Sequence, residues 1–569
     1  MVKNKKILFG VLAFLPVSFW VFIILRNSVN IPWFDDFDPF PDFLRSWINN
    51  TTFADRLQLL FQPNNEHRMV IGKLVTLLYF WTTGHLNFTF LHIAGACFTL
   101  GTLFLFWQSF KRSKINWWYF LPVPFLLFQL QYHLIFLWAI CSLQHQPVIF
   151  FVSLSMFLLA RNRFGWAILA GICATFAMSN GIFVWVSGAV ILLLRSNYRV
   201  LVVWLLAGTC AIGIYFYGLS AQGNESSIDF FLKNPHLSFL GFFAFLGGLF
   251  DFFPEKSVFT RSVLPVIAGF LVMIWVAIWL LSLMLPWLKR TLRLKFSVPL
   301  FVERFSSKNN EVNLLNEFLL GILTFLLVNA LIIGLLRPRF GFFVMIVSNY
   351  KIYPALFLSI AYLSFISSTV GQQVQKKGFQ VALVISVTVW GLSIYGYLPT
   401  ITDRRKYLIV SAYNQEHNGY GLGHIPFSVG AKYVDKLMGE MVNKGIYTYP
   451  EESNNLAAEI SKINDQSKSE LRVIGTITEG KILVSDPDSK VDFDPQKAMF
   501  AFVRNKSKLY IFKLIQHKYS GRNFFRQYDK GVDVEIPLTS LEAGTYELGF
   551  LKIDENQTSG RVLKSITVP

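Results

Sequence analysis

Long apolar runs alternate with short basic connections through the first two-thirds of the chain. Many of these runs approach the roughly 20 residues with which a helix crosses a bilayer. Because Lys and Arg are favoured on the cytoplasmic side, the basic connections predict that the N-terminus lies inside. Two further apolar segments, 66–84 and 237–253, are interrupted by charge or by glycines and are predicted to be interfacial or re-entrant. Eleven spans are predicted: 7–26, 86–108, 117–139, 145–160, 164–180, 182–194, 199–219, 259–286, 316–336, 352–370 and 379–398.

The last third of the chain follows a different pattern. Residues 401–470 mix polar stretches of helical type with Gly-rich turns, so we predict an extracytoplasmic linker region. Residues 471–569 hold seven short β-rich runs separated by turn residues, which is typical of a small β-sandwich. The predicted fold is therefore a polytopic α-helical membrane protein (residues 1–400, about 11 transmembrane helices) with a C-terminal extracytoplasmic β-sandwich domain. Residues 27–85 would form its first outer loop.

Composition and charge support a membrane protein. The 569 residues are 53% hydrophobic and 17% aromatic, and the formal charge is +18. Residues 1–400 carry about +16 of that charge and residues 401–569 about +2, by our count of Lys, Arg, Asp and Glu. Basic connections between apolar runs indicate orientation in a membrane, so nucleic acid is not an expected partner. The four cysteines all fall in predicted spans without metal-ligand spacing, so zinc and an outer disulfide framework are not expected.

Two adjacent acids, Asp35 and Asp36, follow directly on the first predicted span. Ionisable groups at a membrane surface are expensive to hold there and by default indicate a site. Neighbouring phenylalanines and the second acid would raise the pKa of either carboxyl, which suits a general base that takes a proton from a hydroxyl. The alternative is a solvated turn, because Asp-rich turns are common.

A second polar group, Glu66, His67 and Arg68, lies at the start of segment 66–84. Arg offers a rigid fork for phosphate, and His can carry a proton or donate a hydrogen bond. We therefore predict that these three residues bind substrate. The alternative is a charged helix start, in which Glu favours the positive end of the helix dipole.

A third group contains Arg337, Arg339, Tyr350 and Lys351, in a connection that the predicted topology places outside. Positive charge there runs against the positive-inside preference, and an anionic ligand would explain it. We therefore include these four residues in the predicted substrate site. Snorkelling of long basic side chains to the membrane surface is the competing explanation.

Taken together, these features resemble the GT-C superfamily of membrane glycosyltransferases. The resemblance covers about residues 1–400 and rests on the acidic pair after the first helix, the long first outer loop with Asn-Glu-His-Arg, and the number of spans. It implies a polyprenyl-phosphate sugar donor and Asp35 or Asp36 as the catalytic base. Family members often show Arg-Tyr after a serine, whereas this chain has Asn349-Tyr350-Lys351 after Ser348. Either Lys351 or Arg339 could therefore meet the phosphate.

The expected function is an inverting glycosyltransferase, a hexosyl- or pentosyltransferase of the bacterial cell envelope. It would move sugar from a polyprenyl-phosphate donor to a glycan or lipid-linked acceptor on the periplasmic side of the inner membrane. No cofactor is certain, although a divalent cation (Mg²⁺ or Mn²⁺) could assist phosphate departure, with metal ligands unknown. The main alternative is a transporter or flippase of lipid-linked saccharides, which predicts ionisable residues near the middle of the bilayer. A membrane scaffold with an outer binding module is the third possibility.

Overall fold

The computed structural model describes residues 2–64, 67–113, 115–219, 225–292, 314–368, 371–464, 473–478, 480–490, 493–521, 523, 525–554 and 557–569. It is mostly helical and falls into two compact units. Unit 1 comprises Met1–Leu25, Leu60–Leu74 and His92–Tyr397, and unit 2 comprises Arg26–Leu59, Val75–Leu91 and Leu398–Pro569. The predicted site residue Glu66 lies outside the described residues, as does the start of the first predicted strand.

The α-helices vary in length from a single turn to 47 residues. In chain order they are α1 (Val2–Asn27), α2 (Phe43–Asn49), α3 (Phe53–Phe61), α4 (Val70–Thr83), α5 (Phe88–Phe110), α6 (Pro122–Leu127), α7 (His133–Phe136), α8 (Ala139–Ala160), α9 (Phe164–Ala177), α10 (Val184–Leu194), α11 (Tyr198–Phe216), α12 (Glu225–Lys233), α13 (Pro235–Leu246), α14 (Val258–Leu292), α15 (Leu314–Leu336), α16 (Ile352–Ser367), α17 (Gln372–Asn418), α18 (Val429–Asn443) and α19 (Glu451–Ser461).

Seven helices of the described residues are long and apolar enough to cross a membrane. Each coincides with a predicted span, because length and continuous hydrophobicity are properties of the local sequence. The other four predicted spans fall on shorter apolar helices. The seven long helices are Lys5–Asn27, Phe88–Ser113, Ala139–Ala160, Tyr198–Phe216, Val258–Lys289, Leu314–Leu336 and Gln372–Asn418.

The predicted span 117–139 is not one helix. Helix α6 ends at Leu127 and α7 begins only at His133. In the break, the backbone N–H of Leu130 donates to Ser393 Oγ at 2.8 Å, and the Gln131 side chain donates to the Leu249 carbonyl at 2.9 Å. Partners far along the chain therefore replace the helical hydrogen bonds, which an apolar sequence pattern does not reveal.

Unit 2 contains the C-terminal all-β domain. Its two four-stranded antiparallel sheets have the orders β1-β2-β6-β5 and β4-β3-β7-β8. Inward residues of both sheets, such as Val484 and Phe550, form the core. The predicted run 508–516 is two strands divided at Leu514, one in each sheet. The strands are β1 (Ile474–Thr478), β2 (Lys481–Asp486), β3 (Ala498–Arg504), β4 (Leu509–Lys513), β5 (Ile515–Lys518), β6 (Tyr528–Pro537), β7 (Gly544–Asp554) and β8 (Gln557–Val568).

The described part of the predicted linker region, 401–464, is largely helical. Helix α17 runs without a break to Asn418, and the two compact units divide within it, between Tyr397 and Leu398. Leu456 and Ile460 of α19 pack with Phe500 and Phe502 of the sandwich. The α18 helix is capped by Ser428, whose Oγ accepts from the Ala431 N–H at 3.1 Å.

Candidate functional site

The acidic segment belongs to unit 2 and begins with a strained residue. Phe34 has a φ of 52°, a left-handed conformation that costs an aromatic residue roughly 1–2 kcal/mol. Its N–H donates to the Leu422 carbonyl at 3.2 Å. A Cβ on Gly423 would lie only 2.9 Å from Phe34 Cδ2, and the φ of Gly423 is itself +97°. Residues 419–423, which we call the Gly-rich loop, therefore hold Phe34 in place immediately before the two acids.

Asp35 and Asp36 have different surroundings. Asp36 is 1% exposed, and its Oδ2 accepts from the Trp33 N–H at 3.0 Å, which closes the turn. Asp35 is only half-buried. Of the two predicted bases, Asp35 is the more open to a substrate, and Asp36 has an evident structural task.

Two more acids, Asp38 and Asp42, lie on the same segment, and His424 packs against it. The ring of His424 lies 6.4 Å from that of Phe34 and 6.0 Å from that of Phe37. Desolvation raises the pKa of the Asp38 carboxyl, Asp42 raises it further, and His424 lowers it. Asp42 is paired with Arg45. The sequence interpretation missed His424, although its position beside Gly421 and Gly423 was the available signal.

Arg68 lies in unit 1, and its side chain donates hydrogen bonds to backbone carbonyls. Its guanidinium donates to the carbonyls of Tyr215 (2.6 Å), Phe61 and Tyr217. Three carbonyl partners make it an anchor for the segment that precedes α4. His67 is tied to Asn64 through two backbone hydrogen bonds of 2.8 and 3.0 Å. The predicted substrate role of both residues stays a prediction.

The connection from α15 to α16 contains the other predicted cations. The guanidinium groups of Arg337 and Arg339 lie 5.8 and 4.5 Å from the ring centre of Phe340. Ser348 fixes the far end of the connection, because its Oγ donates to the Gln131 carbonyl at 2.7 Å and accepts from the Leu134 N–H at 3.2 Å.

Lys351 is 1% exposed and bound to an acid that sequence reasoning did not single out. Its Nζ donates to Asp251 Oδ2 at 2.6 Å and also to the Tyr397 hydroxyl. Arg261 donates to the same carboxylate. Lys351 therefore belongs to a buried ionic cluster.

A second polar cluster surrounds Tyr353 in the same unit. The Tyr353 hydroxyl accepts from Asn180 Nδ2 and hydrogen-bonds His145 Nδ1, both at 2.8 Å. The ring of Tyr350, a predicted site residue, lies 5.9 Å from that of His145 and 6.1 Å from that of Phe245. The structure therefore brings the side chains of His145 and Asn180 together at one hydroxyl.

No group of three His, Cys, Asp or Glu side chains is placed to hold a metal ion within the described residues. Comparison with protein-family models, with curated proteins and with solved structures finds no match to this chain. The case for a function therefore rests on the geometry of the acidic segment and of the polar clusters in unit 1.

Proposed function

We propose that the protein is an inverting glycosyltransferase of the bacterial inner membrane that uses a polyprenyl-phosphate sugar as donor. The GT-C resemblance suggests this reaction, and one observation carries the proposal further. A partly buried carboxylate, Asp35, follows the first long apolar helix on a turn whose strained conformation is held by a second segment of unit 2. Strain of this kind clusters at active sites.

In the proposed reaction, Asp35 accepts the proton of an acceptor hydroxyl. The hydroxyl oxygen attacks the anomeric carbon, and the bond from that carbon to the phosphate oxygen breaks with inversion. The leaving lipid phosphate keeps the electron pair and gains one negative charge. A cation near the leaving group would stabilise that charge. The N-terminus would be cytoplasmic and the sandwich periplasmic.

A transporter of lipid-linked saccharides is the second candidate, and the buried ionic cluster of unit 1 is the observation in its favour. However, Arg261 lies in the first turn of α14, and Lys351 immediately precedes α16. Glu317, another buried acid, lies in the first turn of α15. Buried charges at helix ends fit an interfacial site better than a path through the middle of a bilayer.

The test is transfer of radiolabelled sugar by purified protein in lipid nanodiscs. Native polyprenyl-phosphate sugars would serve as donors and envelope glycans as acceptors. We expect Asp35→Asn to lower transfer by roughly 10²–10⁴-fold, the usual contribution of a general base.

Asp55→Asn is the matched control, because Asp55 is an exposed acid of the same loop whose carboxylate accepts from the nearby Thr52 hydroxyl at 2.6 Å. Full activity of Asp35→Asn would refute the base assignment. If the wild-type protein transfers no sugar but moves the donor lipid across a vesicle membrane, the protein is a transporter instead.

A further inference from the structure

The junction between the Gly-rich loop and α18 exposes apolar side chains. Residues 425–429, which we call the apolar loop, include Ile425, Phe427 and Val429, which are 77%, 42% and 87% exposed. Single exposed apolar residues are common on protein surfaces, whereas several in one short stretch mark an interaction site. The apolar loop therefore presents a surface that suits an apolar partner.

The conformation of the apolar loop is held by its neighbours. Phe427 has a φ of 60°, a left-handed conformation that is strained for an aromatic residue. Its ring lies 5.5 Å from that of Tyr420, which is buried in the core of the sandwich. The next residue, Ser428, caps α18. The exposed side chains thus belong to a segment that is fixed at both ends.

The chain descends along α17 before it reaches the apolar loop. Helix α17 ends at Asn418, and the chain then reverses, so that the Tyr420 N–H donates to the Asn414 carbonyl at 3.5 Å. A Cβ on Gly421 would lie only 2.3 Å from the Ser411 carbonyl oxygen, which shows how closely the chain passes that residue. Because these partners move back along α17 toward its apolar part, the residues after Gly421 come closer to the membrane.

A further contact places the start of the apolar loop near the membrane surface. The apolar part of α17 gives way to charged residues at Asp403, and such a change marks the end of a membrane span. The guanidinium of Arg404 lies 4.3 Å from the ring centre of Trp33. The neighbouring Phe34 N–H donates to the Leu422 carbonyl at 3.2 Å. Leu422 is therefore close to the level of Arg404, and the apolar loop begins only three residues later.

Helix α18 approaches the membrane again at its other end. Beyond its last residue, Asn443, the Ile446 carbonyl accepts from the Leu86 N–H at 2.7 Å. Leu86 lies two residues before Phe88, the first residue of the long apolar helix α5. Both ends of the stretch 422–446 are thus attached where long apolar helices begin or end. We therefore expect α18, which has 15 residues and is about 22 Å long, to lie along the membrane surface.

The exposed face of α18 continues the apolar loop with positive charge. Lys432 and Lys436 are exposed and lie three and seven positions after Val429, on the same face of the helix. The acids of α18 have their own neighbours, with Glu440 paired to Arg45 and Asp435 packed beside Gly419. Lysine side chains can lay their apolar stems against lipid and keep the ammonium group at the headgroups. An apolar tip with adjacent lysines is typical of segments that insert into a membrane surface.

We propose that the apolar loop inserts into the lipid leaflet at the membrane surface where the apolar part of α17 ends. Ile425, Phe427 and Val429 contact acyl chains, and Lys432 and Lys436 contact lipid headgroups. The occupant is the bilayer itself, because the stretch that carries these residues is attached at both ends to residues that flank long apolar helices. The contact does not depend on sugar transfer, so failure of the proposed enzyme activity would be seen separately.

The experiment is photocrosslinking of the full-length protein in nanodiscs of phosphatidylcholine and phosphatidylglycerol. The photoreactive residue p-benzoylphenylalanine, which inserts into nearby C–H bonds, replaces Val429 in one sample and Lys506 in another. Lys506 is the matched control, because it is also exposed but lies in the β3–β4 turn, close to where the Leu509 carbonyl accepts from Asn418 Nδ2 at 2.8 Å. Asn418 lies 15 positions beyond Asp403, which is about 22 Å farther along α17.

Mass spectrometry identifies what each position has captured. We expect a phospholipid adduct at position 429 and none at position 506. A crosslinked dimer at position 429 in place of the lipid adduct would assign the apolar loop to a second copy of the chain and overturn the proposal. Lipid adducts of equal yield at both positions, or at neither, would also overturn it.

Two more variants complete the test. Replacement of Ile425 by the same photoreactive residue decides if the protein substituted at position 429 does not fold, as judged by its thermal unfolding curve. Lys432→Glu combined with Lys436→Glu should lower the yield of lipid adduct at position 429, because both residues would then repel the anionic phosphatidylglycerol headgroups. An unchanged yield in the folded double variant would overturn the headgroup contact.

Discussion

Neighbouring Asp35 and Asp36 should respond differently to the same substitution. Asp36 is the acceptor for the Trp33 N–H and is buried, whereas Asp35 is only partly buried. The variants that separate the two roles are Asp35→Asn, Asp36→Asn and Asp36→Ala. We expect Asp35 to determine the rate of transfer and Asp36 to determine the stability of the turn.

The magnitudes follow from the hydrogen bond. Asp36→Ala leaves the part-buried Trp33 N–H without its acceptor, which costs about 1–3 kcal/mol. Asp36→Asn keeps an acceptor oxygen and exchanges a charge-assisted bond for a neutral one, at a cost on the order of 1 kcal/mol. Asp35→Asn should change stability by less than that and raise the barrier of the chemical step by about 3–5 kcal/mol.

The assay measures the free energy of unfolding by tryptophan fluorescence in nanodiscs, and the transfer rate of the same samples. Asp36→Asn should retain most activity at temperatures at which the turn is folded. The reasoning is wrong if Asp36→Asn abolishes transfer at unchanged stability while Asp35→Asn stays active. If both Asn variants stay active, the base is another residue.

Two further predictions concern the charges of unit 1. Glu317→Gln should destabilise the protein by about 3 kcal/mol, which is the low end for breaking a buried pair, because Arg195 keeps three oxygen partners. Thermal unfolding of this variant beside Glu317→Asp measures the effect, and an unchanged unfolding midpoint would contradict the prediction. Arg337→Ala and Arg339→Ala should weaken binding of the donor lipid, and at least one should do so more than its Lys counterpart. Titration with a donor analogue tests this, and unchanged affinity in all four variants would leave both arginines without a ligand role.

Much of the helical architecture could be predicted because it depends on local sequence. Length and apolarity identified all seven long helices, and short β-rich runs separated by turn residues identified the sandwich. The break inside 117–139 could not be predicted, because Leu130 and Gln131 bond to residues 263 and 118 positions away. Local propensity contains no information on such partners.

The site was predictable only in part for the same reason. Asp35 and Asp36 stand out because charge follows an apolar span. Lys351 also stands out, but its partner Asp251 is 100 positions away, in a stretch rich in phenylalanine and glycine. The sequence showed a cation on the predicted outer side, and only the fold shows that an acid and a second cation accompany it.

The conformation of the acidic segment has a consequence for the division of the chain into domains. Phe34 is held by Leu422 and Gly423, and His424 lies against it, so the segment that carries Asp35 depends on residues after 418. These residues belong to the same compact unit as residues 26–59. A catalytic domain that ends at residue 400 would lack them, and the strained turn would lose the contacts that determine it. If Asp35 is the base, the Gly-rich loop is therefore part of the catalytic machinery, and Tyr420 of the same loop also packs in the core of the sandwich.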